Sequence, residues 1–161
     1  MIHINLIVLG KLKEIFWQEA EAEYLKRLQP WAKITIHELR EESFSEKNNP
    51  EQIKQKEAEK ILDQLKKFSL EQSHLIVLDE HGKQFSSINF SRQLDQLSSQ
   101  QTNDFTFIIG GPLGLDQSIL KLAKLKLSLS SMTFTHQMAR VFLWEQIYRA
   151  MMINNGRNYH Y

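Results

Sequence analysis

Four stretches of this chain could do chemistry. Gly110-Gly111-Pro112-Leu113-Gly114 follows an apolar run and can bring backbone close to a ligand, because glycine adds no side chain and tolerates positive φ. It lacks the Lys-Ser/Thr of a P-loop and the spacing of a dinucleotide fingerprint, so a triphosphate is a poor fit. Ser128–His136, SLSSMTFTH, sets small hydroxyl residues among Leu127, Leu129, Met132 and Phe134. Such a loop offers backbone polar groups and an apolar wall, which suits an adenine ring and a thioether. Glu145 and Arg149 stand four apart on a helical stretch, as an interface ion pair or as a grip on substrate. The tail Asn154–Tyr161 ends in Tyr159-His160-Tyr161, aromatic and basic in the way that a nucleic-acid contact would be. The six histidines show neither helical metal-pair spacing nor a His-Glu-x-x-His, so no metal site is expected. A Gly-x-Ser-x-Gly elbow is also missing.

The elements that must carry these stretches alternate. His3–Leu9 reads as a strand, Ile15–Leu28 as a helix closed by Pro30, the alternation at Ile34 and Ile36 as a second strand, and 51–68 as a charged amphipathic helix with a Glu57–Lys60 pair. His74–Leu78, a helix capped by Ser86 or Ser87 and running through Leu97, Phe105–Ile109, a helix from about Asp116, Leu125–Leu129 and a helix from about Gln137 to Ile153 complete the order. This alternation predicts an α/β fold, a parallel sheet with helices on both faces and the site at the carboxyl ends of the strands. The loops expected there are Asp79–Phe85, Gly110–Leu115 and Ser130–His136. In the last helix, apolar residues from Met138 to Ile153 lie almost all round, so it should be buried on two sides, the second against another copy of the chain.

At 161 residues, with 42% hydrophobic and 24% charged residues, the chain fits one domain, 1–161, with its own core. No apolar stretch approaches the roughly 20 residues of a membrane helix, no secretory pattern opens the chain and there is no cysteine, so a cytoplasmic protein without a membrane partner is expected. Net charge is +1, yet residues 121–161 hold six basic groups against one acidic. That end reads as a solvated helix face or as an electrostatic footprint for nucleic acid.

Phe107–Leu115, Leu127–His136, Arg140–Ala150, Tyr159-His160, Val8-Leu-Gly-Lys-Leu-Lys13 and Leu78-Asp-Glu-His-Gly-Lys83, in this order and spacing, resemble the RlmH family of bacterial SPOUT-class methyltransferases. The resemblance covers essentially the whole chain. It implies a SPOUT fold with a C-terminal trefoil knot, a homodimer through the C-terminal helix, and N3-methylation of a pseudouridine in 23S ribosomal RNA of the assembled ribosome. It implies S-adenosylmethionine held by Leu78, Gly110, Leu129, Ser130, Ser131, Met132, Thr133 and Phe134. Tyr159 and His160 would meet the target nucleotide across the dimer, with His160 taking the N3 proton or steadying the base edge, and Arg140, Arg149 and Arg157 would contact phosphate. Two departures stand out: Thr135 replaces a proline common before the last helix, and no basic residue follows Tyr159-His160. The competing readings are a SPOUT enzyme acting on transfer RNA and a module that binds ribosomal RNA without methyl transfer.

Overall fold

The computed structural model describes residues 1–45, 48–68, 72–100, 102–157 and 159. Its elements run β1 (Ile2–Leu9), α1 (Ile15–Leu28), β2 (Ala32–Leu39), α2 (Pro50–Leu65), β3 (His74–Gln84), α3 (Ser87–Gln100), β4 (Asp104–Ile109), α4 (Gln117–Leu120), β5 (Leu125–Ser128) and α5 (His136–Asn154). The five strands form one sheet in the order β2-β1-β4-β3-β5, and every pairing is parallel. All strands therefore end at the same edge, where the loops that follow them gather.

Alternation along the strands divides the core. Ile4, Leu6, Val8, Ile76, Phe105, Phe107 and Leu127 face α1, α3 and α5. Ile7, Leu9, Leu75, Val77 and Ile108 face α2 and α4. Burial on both faces explains the consecutive apolar residues Leu6–Leu9 of β1 and Phe107–Ile109 of β4.

Local chemistry sets the helix ends. Asn49 caps α2 by accepting from the Glu51 amide at 2.9 Å, with Pro50 in the first turn. Ser86 accepts from the Asn89 amide at 3.2 Å ahead of α3. Thr135 Oγ1 accepts from the Met138 amide at 3.3 Å and serves as the N-cap of α5.

Two expectations need correction. All but the last residue of the expected Asp79–Phe85 loop belongs to β3: Leu78 and Lys83 both pair with Leu127, and the residues between them bulge out of the ladder. Glu57 does not pair with Lys60. It is 3% exposed and accepts from the Glu42 amide at 3.0 Å, while Lys60 bonds the Glu42 carboxylate and, at 2.8 Å, the Arg40 carbonyl. On α5, Leu143, Trp144, Ile147, Ala150, Met151 and Met152 sit in the core with the sheet and α3. Phe142 is left 37% exposed, its ring 5.2 Å from that of Phe134.

Candidate functional site

Register brings the predicted cofactor residues together. Val77 lies beside Ile108 and Leu78 beside Leu127, so Leu78 at the bulge of β3, Gly110 after β4 and the stretch beginning at Leu129 after β5 stand at one level of the sheet. Leu78 and Leu129 are half-buried and pack on the core, Phe134 is half-buried against Phe142, and Met132 is 73% exposed. The side chains therefore form a partly apolar rim open to solvent.

Short contacts shape each loop. The Gly110–Gly114 turn closes with the Gly114 amide donating to the Gly111 carbonyl at 3.0 Å, and Gly114 takes φ +79°. A side chain at Gly110 would meet Leu115 at 3.0 Å, and one at Gly111 would meet the Glu57 carboxylate at 3.2 Å. In the last loop, Ser130 Oγ accepts from the Met132 amide at 3.0 Å and Ser128 Oγ donates to the Ser130 carbonyl at 2.9 Å. These two serines hold the turn from within, and Ser131 and Thr133 are left exposed. Gly82, in the bulge of β3, presses on β5: its missing Cβ would stand 2.7 Å from the Lys126 carbonyl carbon and oxygen.

A polar cluster adjoins these loops at the ends of β1 and β2. Gly10 has φ +86°, and a Cβ there would lie 3.1 Å from Glu41 Oε2 and 3.2 Å from His136 Nε2. Lys13 pairs with Glu41 at 3.5 Å, and its amide donates to Gln137 Oε1 at 2.7 Å, tying the entry of α1 to that of α5. His136 Nε2 is buried without a hydrogen-bond partner. Burial holds the His136 ring below the ordinary imidazole pKa against the pull of Glu41, and burial pushes the Glu57 carboxyl up.

His74 and His37 are likewise held down, first by burial. A histidine with a depressed folded pKa lets the unfolded chain take the proton first. Its contribution is complete above about pH 6.5 and is lost as pH falls below it. Glu57 acts oppositely, losing stability as pH rises above the ordinary carboxylate range. Three histidines against one glutamate predict a urea midpoint that drops between about pH 7 and pH 5.5. A midpoint that rises over this interval would contradict the burial of these rings.

The remaining predicted residues part company. Arg140, expected at phosphate, has a side chain only 4% exposed; it donates to Glu21 at 2.5 and 2.7 Å and to Glu38 at 2.8 Å. Trp144 Nε1 also donates to Glu21, at 2.8 Å. With its donors turned inward, Arg140 is a core group and not a phosphate contact. Arg149 donates to Glu145 at 2.5 and 3.0 Å and to the Tyr159 carbonyl at 3.0 Å, so this pair anchors the tail. Arg157 is exposed. Tyr159 packs on Tyr148, twelve residues along α5 from His136 and so about 18 Å away at 1.5 Å per residue. His160 lies outside the described residues.

Glu57 and Gly82 were missed, although one signal was available. Ile53, Glu57, Ile61 and Leu65 are four apart, which puts the glutamate on the buried stripe of α2. The contact of Gly82 joins residues 44 positions apart and leaves no local trace.

Among the described residues no three His, Asp or Glu side chains gather as metal ligands would, and no helix is long and apolar enough to cross a membrane. Comparison with known proteins gives two findings. A family described as predicted SPOUT methyltransferase matches residues 2–160. The ribosomal RNA large subunit methyltransferase H of Clostridium acetobutylicum is 44% identical over 162 residues, covering 99% of this chain and 99% of that protein.

Proposed function

Because the chain belongs to the SPOUT methyltransferase family, we propose that it methylates large-subunit ribosomal RNA, at N3 of a pseudouridine in the assembled ribosome. It would do so as a single SPOUT domain over 1–161, with a threaded C-terminal knot. The observation that carries this reading is the convergence of Leu78, at the bulge of β3, with Gly110 and Leu129–Phe134, which follow β4 and β5.

The loops fit S-adenosylmethionine in kind. Half-buried Leu78, Leu129 and Phe134 offer an apolar wall to an adenine ring beside the Gly110–Gly114 turn. That cofactor supplies a methyl group already activated on a sulfonium, so the protein's main work is alignment. Leu78, Gly110 and Leu129–Phe134 would hold it, and Tyr159 and His160 would hold the base. His160 would accept the N3 proton as that nitrogen takes the methyl group, or steady the base edge.

The position of Tyr159 bears on assembly. Its site on α5 is remote from the loops of its own chain, so the tail would serve a second copy in a homodimer. The exposed Ile15, Phe16 and Phe142, near the paired entries of α1 and α5, are the apolar surface for that contact.

The test is calorimetric titration with S-adenosylmethionine followed by labelled-methyl transfer to ribosomes from cells lacking the enzyme. Saturable binding with label in large-subunit RNA is expected. Robust label on isolated transfer RNA instead would move the substrate, and RNA binding without cofactor binding would leave a non-catalytic module. His160→Ala should cut turnover by about 100-fold or more if histidine takes the proton; unchanged turnover would remove it from the chemistry. With Arg140 internal, Arg157 is the exposed cation expected at phosphate. Arg157→Gln should lower the salt slope of ribosome binding by about one, and an unaltered slope would clear it of that contact.

A further inference from the structure

Of the three glycines in the turn after β4, only Gly114 has a φ in the left-handed region. The backbones of Gly110 and Gly111 would accept an L side chain, so neighbours are what exclude one there. At Gly110 the nearest are the Leu115 side chain and the Gly114 carbonyl carbon, which belong to the turn and its immediate end. At Gly111 all three nearest atoms come from a distant residue: a Cβ would stand 3.2 Å from Glu57 Oε2, 3.3 Å from Glu57 Oε1 and 3.6 Å from Glu57 Cδ. The carboxyl group therefore lies against the α-carbon of Gly111.

Glu57 belongs to α2, which lends no residue to the cofactor loops. It is 3% exposed, and its Oε1 accepts from the Glu42 amide at 3.0 Å, so one side chain joins the segment between β2 and α2 to the glycine turn. Lys60, a turn further along, holds that same segment through the Glu42 carboxylate and the Arg40 carbonyl. Beside Glu57, Ala58 and Ile61 share a core cluster with Leu115, the residue that closes the turn. A carboxyl group is a costly filler for such a place, since an apolar side chain would occupy the space without the penalty of burying oxygens. Its use there fits a group that must join two loops, one by hydrogen bond and one by contact.

We propose that Glu57 is a positioning residue for the cofactor: it props the Gly110–Gly114 turn from beneath and so sets where Gly110 meets S-adenosylmethionine. This rests on the reading of Leu78, Gly110 and Leu129–Phe134 as the cofactor site.

The test is a set of full-length variants read by calorimetric titration with S-adenosylmethionine and by urea denaturation without it. Glu57→Ala empties the space against Gly111 and should weaken cofactor binding about fivefold, as expected of one lost hydrogen bond. Glu57→Gln keeps an acceptor for the Glu42 amide and a flat group over Gly111, so it should bind within about twofold of the wild type. Gly111→Ala drives a methyl group into the carboxyl group and should also cost about fivefold. In Glu57→Ala/Gly111→Ala that methyl group enters the vacated space, so the two losses should fall well short of multiplying. Leu65→Val lies on the same buried stripe about two turns along α2; it should lower the urea midpoint and leave cofactor affinity unchanged.

Wild-type affinity in Glu57→Ala would overturn the proposal, and so would Glu57→Gln binding as weakly as Glu57→Ala. Losses that multiply in full in the double variant would also overturn it, as would an equal loss in Leu65→Val, since the turn would then answer to the core at large. No saturable binding by the wild type would overturn the cofactor reading and this proposal with it, while non-additive urea midpoints in the same set would still report the Glu57–Gly111 contact itself.

Discussion

Glu21→Leu is expected to destabilise the fold by ~3–5 kcal/mol, because it leaves the Arg140 guanidinium buried without its main counter-charge. Arg140 has a side chain 4% exposed and Glu21 one 10% exposed, so water cannot replace the lost carboxylate. The network also reaches Glu38 on β2 and Trp144 on α5, and it ties α1 to both. For a chain of this length the loss corresponds to a fall in Tm of roughly 10 °C, read by thermal denaturation. The double variant Glu21→Leu/Arg140→Met removes the stranded charge and should recover much of the loss. It should still fall short of the wild type, since the Trp144 indole N–H would be left unpaired at about 1–3 kcal/mol. A single variant that melts within about 2 °C of the wild type would show that the ion cluster is open to solvent.

Gly82→Ala should have the largest effect on cofactor binding of any single methyl group. The added carbon would stand 2.7 Å from the Lys126 carbonyl carbon and oxygen and 2.9 Å from the Leu127 carbonyl carbon, all backbone atoms that cannot swing away. Overpacking of this kind costs about 1–3 kcal/mol. Relief requires β5 to shift away from β3, and β5 ends at Ser128, from which the Leu129–Phe134 loop follows directly. A drop in S-adenosylmethionine affinity of roughly tenfold or more is expected, equivalent to about 1.4 kcal/mol. Gly114→Ala is the comparison. Nothing lies within 4 Å of its added carbon, so it pays only for φ +79°, a matter of about 1–2 kcal/mol without displacing a strand. Equal affinities for Gly82→Ala and wild type would mean that β5 can move without disturbing the loop.

The order of the elements was legible in the residues, because buried parallel strands write long apolar runs and their helices write a different period. Even the start of α1 and the strand at Phe105 fell within a residue of their observed bounds. The bulge in β3 was not legible, since Asp79-Glu-His-Gly is polar and reads as a turn; the strand resumes only because Lys83 and Gln84 pair with β5 beyond it. Of the candidate site, the Gly110 and Leu129–Phe134 stretches were visible as loops after strands, and the register sets them level with Leu78. Arg140 misled because its place in a basic segment says nothing of Glu21 and Glu38, which are more than a hundred positions away. Charge along a chain measures supply, and burial decides use.

The strand order carries a consequence for biosynthesis. β4 lies between β1 and β3, so the first strand waits for a neighbour nearly a hundred residues later before its second edge is covered. The core on that face then waits again for Leu143, Trp144, Ile147 and Ala150 of the last helix, all of them fully buried. Parallel pairings between distant segments close slowly, and synthesis at about 5–20 residues per second leaves the incomplete sheet exposed for seconds. A nascent chain of this protein therefore has little to gain from folding early, and its native state becomes accessible only as α5 clears the exit tunnel.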